Sequence, residues 1–254
     1  ILPLFIVFFR RNIITNLESF RPYFLVLNGT AVVAGIEIEN TTNADVFDNV
    51  ATNNTGGILI FNMPNLPQPG SKTRVFNNSV FANNTDNFAP EGTAVASVPA
   101  GSGVVINSND LAEIFDNDIK DNATANIIIS SYFATGYSDS ATSDAFDPYP
   151  EAIYIYGNRF SGGGDNPDGV ALKALKVAMY GLTGSLPDIL WDGYQNKALL
   201  VEGKMPTEYS ICIANGDAKL LNADLPNGSK NVSDDMSAHL CTLPKLSAIN
   251  LSFD

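Results

Sequence analysis

Short runs with aliphatic residues at every second position recur along this chain. Ile36 and Ile38, Ile58 and Ile60, Val104 and Ile106, and Ile127 and Ile129 hold one parity of four such runs, and Val46, Val75, Ile114 and Ile155 hold one parity of a companion set. A period of two puts the aliphatic members on a single face of a strand. Register is kept as well, because the 68-residue offset that carries Gly35-Ile36-Glu37-Ile38 onto Gly103-Val104-Val105-Ile106 also carries Val46-Phe47-Asp48-Asn49 onto Ile114-Phe115-Asp116-Asn117. The shortest step, Gly35 to Gly57, is 22 residues. That length fits two or three short strands with tight turns, whereas a helical-hairpin repeat needs about 33 residues and a propeller blade about 40. The predicted unit is one coil of a parallel β-helix. Stacked coils would line its interior with Ile and Val, each burial contributing about 1.5 to 3 kcal/mol.

Asn49, Asn78, Asn117 and Asn158 follow the companion strands at equivalent places. Asn tolerates left-handed backbone angles and can bond its own backbone, so it suits a sharp corner. Piled one above another, the four amides would form a structural ladder. A second recurrent column is aromatic: Phe47, Phe76, Phe115 and Tyr156. Sugar rings stack on aromatic faces, which makes this column a candidate glycan-binding platform. The preferred role is plainer, since like residues on successive coils also stabilise a sheet by about 0.2 to 1 kcal/mol per pair.

Three insertions break the rhythm, at 62–72, 86–101 and 132–150. Long Pro/Gly-punctuated loops on a regular scaffold are where binding concentrates. These loops are also expected to cover Leu59, Phe61, Val105 and Ile128, whose outward parity would otherwise leave an apolar strip in water. The stretch 169–180 has helical spacing between Pro167 and Gly181 and reads as an end cap. The predicted organisation is therefore a poorly matching segment at 1–34, coils over 35–165, and a helical cap with an irregular tail over 166–254. Residues 1–9 are apolar but too few to span a bilayer, and Arg10-Arg11 lies on the wrong side for a signal peptide. This segment reads as the truncated or corrupted start of a chain that begins mid-protein, with Tyr23 to Leu27 as its one potential strand.

Composition narrows the partners. The chain has 254 residues and a net charge of -13. With no Lys/Arg cluster, nucleic acid is not an expected partner. Cys212 and Cys241 match no zinc spacing, and His239 alone cannot complete a zinc site. A disulfide between them is expected if the chain is exported.

The stretches GIEIENTTNADVF, GGILIFNMPNLP, TRVFNN, NFAPEGTAVASVPAGSGVVI, DPYPEAIYIYGNRFSGGGDNP and LPDILWDG cover most of residues 35–193. Through them the chain resembles exported bacterial right-handed parallel β-helix proteins of the pectate-lyase-like superfamily. It is similar to a β-helix-repeat family, often made as lipoproteins and encoded beside a di-haem cytochrome c-like protein, whose reaction is not established. The resemblance implies an all-β, right-handed parallel β-helix. It also implies export to the periplasm, the outer-membrane surface or the exterior, with any membrane attachment by a lipid anchor. Cys212 and Cys241 suit the family's C-terminal tail.

Catalytic chemistry is thinly represented. Asp147-Pro148-Tyr149-Pro150 is similar to the Asp-Pro-His signature of β-helix uronate epimerases, with Tyr149 where a histidine would supply the acid or base. Arg159, placed to meet Asp147 or Asp165, is the accompanying cation. Asp147, Tyr149 and Arg159 are thus the catalytic candidates for a polysaccharide lyase or epimerase, with Lys120 a further basic residue. Asp139, Asp144, Asp147 and Glu151, or Asp165 and Asp168, are acidic enough to hold Ca2+ on bent loops, and no other cofactor is expected. The function expected is a non-catalytic envelope scaffold that binds a polysaccharide or protein partner through its loops. The alternatives are a polysaccharide-active enzyme and a companion of an envelope c-type cytochrome.

Overall fold

The computed structural model describes residues 32–136 and 146–249. The potential strand at 23–27 and the residues Asp139 and Asp144 lie outside them. The chain cycles through three sheets. A first cycle runs through β1 (Ala34–Glu39), β2 (Thr42–Phe47) and β3 (Val50–Thr52), and a second through β4 (Gly56–Phe61), β5 (Ser71–Phe76) and β6 (Ser79–Phe81). A third comprises β7 (Ser102–Asn107), β8 (Glu113–Phe115) and β9 (Asp118–Lys120), and a fourth β10 (Ala125–Ser130), β11 (Ile153–Tyr156) and β12 (Arg159–Ser161). After α1 (Gly169–Tyr180) come β13 (Ile189–Trp191), β14 (Ile211–Ala214) and β15 (Leu220–Asn222).

All strand pairing within these sheets is parallel, in the orders β1-β4-β7-β10-β13-β15, β2-β5-β8-β11-β14 and β3-β6-β9-β12. Among the described residues, three parallel sheets and one α-helix are consistent with an all-β parallel solenoid. In the first sheet Ile36, Ile58, Val104, Ile127, Ile189 and Leu220 stand in one register file. In the second, Val46, Val75, Ile114, Ile155 and Ile213 do the same. Both files belong to one buried cluster, which Ala51, Val80 and Ile119 of the third sheet complete.

The outer side of the first sheet is also dry. Leu59, Val105, Ile128, Leu190 and Leu221 form a second cluster with Val98 from the 86–101 loop, against which Leu172 and Leu175 of α1 pack. The helix expected as an end cap therefore lies along the outside of the stack. The sheets also continue past residue 165, where the coils were expected to finish, through β13, β14 and β15. The reason is that the aliphatic row on the first sheet's outer side needs cover along its length, which an end cap would leave wet.

At the corners the left-handed residue is not the ladder Asn but the one before it: Asp48, Asn77, Asp116 and Gly157 have φ of 57°, 54°, 54° and 66°. The turn from the third sheet back to the first repeats this, with Asn53, Ala82 and Asp121 at 59°, 50° and 55° preceding Asn54, Asn83 and Asn122. The left-handed residue turns the chain outward, which frees the following Asn to point in and bond.

Candidate functional site

The amide column is continuous. Asn49 Nδ2 donates to Asn78 Oδ1 (3.0 Å), Asn78 to Asn117 (3.0 Å), Asn117 to Asn158 (2.9 Å) and Asn158 to Asn215 (3.1 Å). Each acceptor oxygen also takes the main-chain N–H of the Asn one coil below. Asn54, Asn83 and Asn122 form a parallel ladder. These side chains satisfy buried main-chain groups at corners where the sheet ladder is interrupted. Their chemistry is used up in that task.

The aromatic column lies one step away. Phe47, Phe76, Phe115 and Tyr156 stack with centroids 4.9, 4.9 and 5.0 Å apart and ring planes within 8°, 9° and 6° of parallel. Lys245 Nζ sits 4.5 Å from the Tyr156 centroid. Most of the ring faces a sugar would need are thus turned to one another, and a lysine lies over the last ring.

Beside the rings runs the in-register row Asp45, Arg74, Glu113, Tyr154 and Cys212. Arg74 bridges Asp45 at 3.1 Å and Glu113 at 3.6 Å. Cys212 forms a disulfide with Cys241. From that bond the tail returns across the second sheet: Lys245 lies over Tyr156, the Leu246 backbone bonds Glu113, and the Ile249 N–H reaches Asp45 Oδ2 at 3.4 Å. The tail is a strap that covers the ionic row from β14 to β2.

The acidic chemistry gathers at the corner between the first and second sheets. Ser108, Leu111 and Ala152 have φ of 49°, 54° and 54° there, unfavourable for residues with a Cβ. Two successive coils are tied together at this point. The Leu111 N–H donates to Glu151 O at 3.0 Å and the Glu151 N–H to Asp110 Oδ1 at 3.1 Å, while Ser108 Oγ donates to Pro148 O at 2.9 Å. The result sets Asp110 beside Glu151, and an Asx turn in which Asp147 Oδ1 accepts the Tyr149 N–H at 3.0 Å adds a third carboxylate. One oxygen from each of Asp110, Asp147 and Glu151 lies within 4.8 Å of the others. Burial, then the charges of Asp147 and Glu151, push the Asp110 carboxyl up to about 8. Burial, then Asp147, push Glu151 up to about 7. Burial raises Asp147 too. Three crowded carboxyls either retain protons or surround a cation.

Of the three catalytic candidates, only Asp147 and Tyr149 are neighbours, and of the expected cation set Asp147 and Glu151 come together. Tyr149 packs its ring 5.5 Å from that of Phe133, and its hydroxyl is pushed above its usual range by burial and by Asp147. Arg159 is elsewhere: on β12 in the third sheet it faces Asp118 at 3.9 Å, not Asp147 or Asp165. Lys120 takes the same partner at 3.0 Å. The strand parity of Arg159 points it outward from the third sheet, on another side of the chain from the acidic corner. Asp110 was not among the expected site residues, although a signal for it existed. The 41-residue offset that carries Phe115 onto Tyr156 and Asn117 onto Asn158 also carries Asp110 onto Glu151.

Next to this corner a concavity of about 680 Å³ opens, lined among others by Glu151, Trp191, Tyr194, Asn196, Tyr209 and His239. Trp191 is a core side chain, 4% exposed, whose Nε1–H has no partner. Its ring meets that of His239 edge-on at 5.5 Å. Comparison with protein-family models, curated proteins and solved structures found no match to this chain.

Proposed function

We propose that the three sheets close into a right-handed parallel β-helix and that this chain is an exported scaffold of the bacterial envelope which binds a glycan without transforming it. The observation that carries the reading is the concavity beside Pro150 and Glu151, where Tyr194 and Tyr209 share the lining with Asn196 and Asn222 and with the ionisable Glu151, Lys204 and Asp235. Such a mixture of aromatic and polar groups suits a sugar, which carries both apolar faces and hydroxyls. Packing of the 86–101 loop and α1 against the cluster that contains Leu59 and Val105 supports a scaffold, since it covers apolar side chains on the outer side of the first sheet. The disulfide fits an oxidising compartment such as the periplasm or the exterior. Calorimetric titration with neutral oligosaccharides should give saturable binding that Tyr194→Ala weakens at least tenfold. Absence of binding to a broad glycan panel would remove the glycan from the proposal. A haem protein retained by the immobilised chain would redirect it to a cytochrome partner.

A second reading has one observation in its favour. Glu151, with its carboxyl near neutrality and the Tyr149 hydroxyl close by, has the properties of an acid or base for a uronate lyase or epimerase. Unsaturated product or C5 epimerisation from acidic polysaccharides, abolished in Asp147→Ala, would establish it over the scaffold.

A further inference from the structure

We propose that Asp110, Asp147 and Glu151 form a binding site for one divalent cation of the Ca2+ class, which clasps two successive coils at the corner between the first and second sheets. The three contributed oxygens lie within 4.8 Å of one another. Ca2+ binds oxygens at about 2.3 to 2.6 Å, so three ligands spread evenly round the ion lie about 4.0 to 4.5 Å apart, whereas around Mg2+, at about 2.0 to 2.1 Å, they lie about 3.5 to 3.6 Å apart. The spacing of the triad is nearer to that of Ca2+, which side-chain shifts of a few tenths of an ångström would enclose.

Hydrogen bonding points to the same conclusion independently. Glu151 is 7% exposed, and its Oε1 is buried with no partner. A buried carboxylate oxygen without a donor is costly unless a ligand meets it. Asp110 and Asp147 each use Oδ1 on a main-chain N–H, which fixes the direction of both carboxyl groups. Among the described residues, the ion pairs of Arg74, Lys120 and Arg159 all go to other carboxylates. The charge of the triad is left for a cation to neutralise. Because Asp110 belongs to the third cycle and Asp147 and Glu151 to the fourth, the ion would brace the end of the 132–150 insertion against the coil before it. It would also hold Glu151 ionised, which is incompatible with that residue acting as an acid and leaves the scaffold reading untouched.

Terbium is a luminescent substitute for Ca2+, and Tyr149 and Tyr194 are near enough to Asp147 and Glu151 to sensitise it. Titration of the purified chain with Tb3+ should give saturable luminescence with one ion per chain, displaced by Ca2+ at lower concentration than by Mg2+. Glu151→Gln and Asp110→Asn should each weaken Tb3+ and Ca2+ at least tenfold, while Asp118→Asn on the third sheet should not. Ca2+ should raise the melting temperature of the wild type and of Asp118→Asn alone. Circular dichroism identifies any variant that fails to fold, and the wild-type titration decides the matter without them. No saturable signal in the wild type would overturn the site. Equal affinity in all four proteins would do the same, since it would place the binding on the general acidic surface.

Discussion

Replacing Asn117 by alanine tests the claim that the amide ladder, and not merely the aliphatic core, holds the coils together. Asn117 is fully buried. Its Oδ1 accepts from the Asn78 N–H at 2.9 Å and from Asn78 Nδ2 at 3.0 Å, and its Nδ2 donates to Val75 O, Phe115 O and Asn158 Oδ1 at 2.9, 3.0 and 2.9 Å. Alanine strands the Asn78 main-chain N–H in the interior, at about 1 to 3 kcal/mol, and forfeits the other bonds at about 0.5 to 1.5 kcal/mol each where a partner retains no substitute. Asn78 Nδ2 keeps Val46 O and Phe76 O, and Asn158 Oδ1 keeps the Asn117 N–H. The net loss expected is therefore about 2 to 5 kcal/mol. Asn49 is the internal control. Among the described residues it lies at the ladder's end, half-buried, and its side chain donates to Phe47 O and Asn78 Oδ1 without accepting. Since Asn78 Oδ1 retains the Asn49 N–H, Asn49→Ala strands nothing and should cost about 1 kcal/mol or less. Urea unfolding of the two variants, with the m-values compared to show that the same surface is exposed, measures the difference. Equal losses would refute the reasoning, because the orphaned N–H would then carry no special cost.

Two further outcomes follow from the strap and from a buried carboxylate. Cys241→Ser opens a loop of 29 residues and should cost about 3 to 4 kcal/mol if chain entropy governs; hydrogen exchange should also rise across 243–249, and an unchanged tail would mean that its contacts with Tyr156, Glu113 and Asp45 hold it unaided. Asp192 accepts from the Ser131 N–H, Ser131 Oγ and the Tyr194 N–H at 2.6, 2.8 and 3.0 Å, yet burial outweighs these bonds and pushes its carboxyl up to about 6. The folded chain then binds this proton more tightly than the unfolded chain, so the associated stability is complete below about pH 4 and is lost as pH rises through 6. Asp192→Asn should gain in melting temperature relative to the wild type between pH 4 and 7, and a flat difference curve would show that the hydrogen bonds prevail over burial.

The interior was legible because each strand states its own parity. Ile36, Ile58, Val104 and Ile127 are each followed two positions on by another isoleucine, and the 68-residue offset shared by both strand sets keeps the copies in register. The same repeat identified Asn49, Asn78, Asn117 and Asn158, yet not which member of each corner pair turns the backbone. Asp48, Asn77 and Asp116 are as suited to a left-handed turn as the Asn residues that follow them, so composition cannot separate the pair; only the path of the main chain does. The disulfide was anticipated from Cys212 and Cys241 as the only cysteines. That it anchors a strap over Asp45, Arg74 and Glu113 depends on contacts between the tail and coils as much as 204 positions away.

The acidic corner marks the same boundary. Asp147 and Glu151 stood out as neighbours in sequence, but Asp110 becomes their partner only when the third and fourth coils are stacked and the 108–112 and 147–152 corners share hydrogen bonds. Arg159 follows Asn158 directly, and strand parity carries it to another side of the molecule. Helix α1 announces an apolar stripe without naming the surface that receives it, and the receiving row of Leu59, Val105, Ile128, Leu190 and Leu221 is assembled from five separate strands. Local periodicity specifies which side of each segment must be dry, because that depends on the segment alone. Which distant groups then meet depends on how the stacked coils are threaded together, and no single stretch of the chain contains that information.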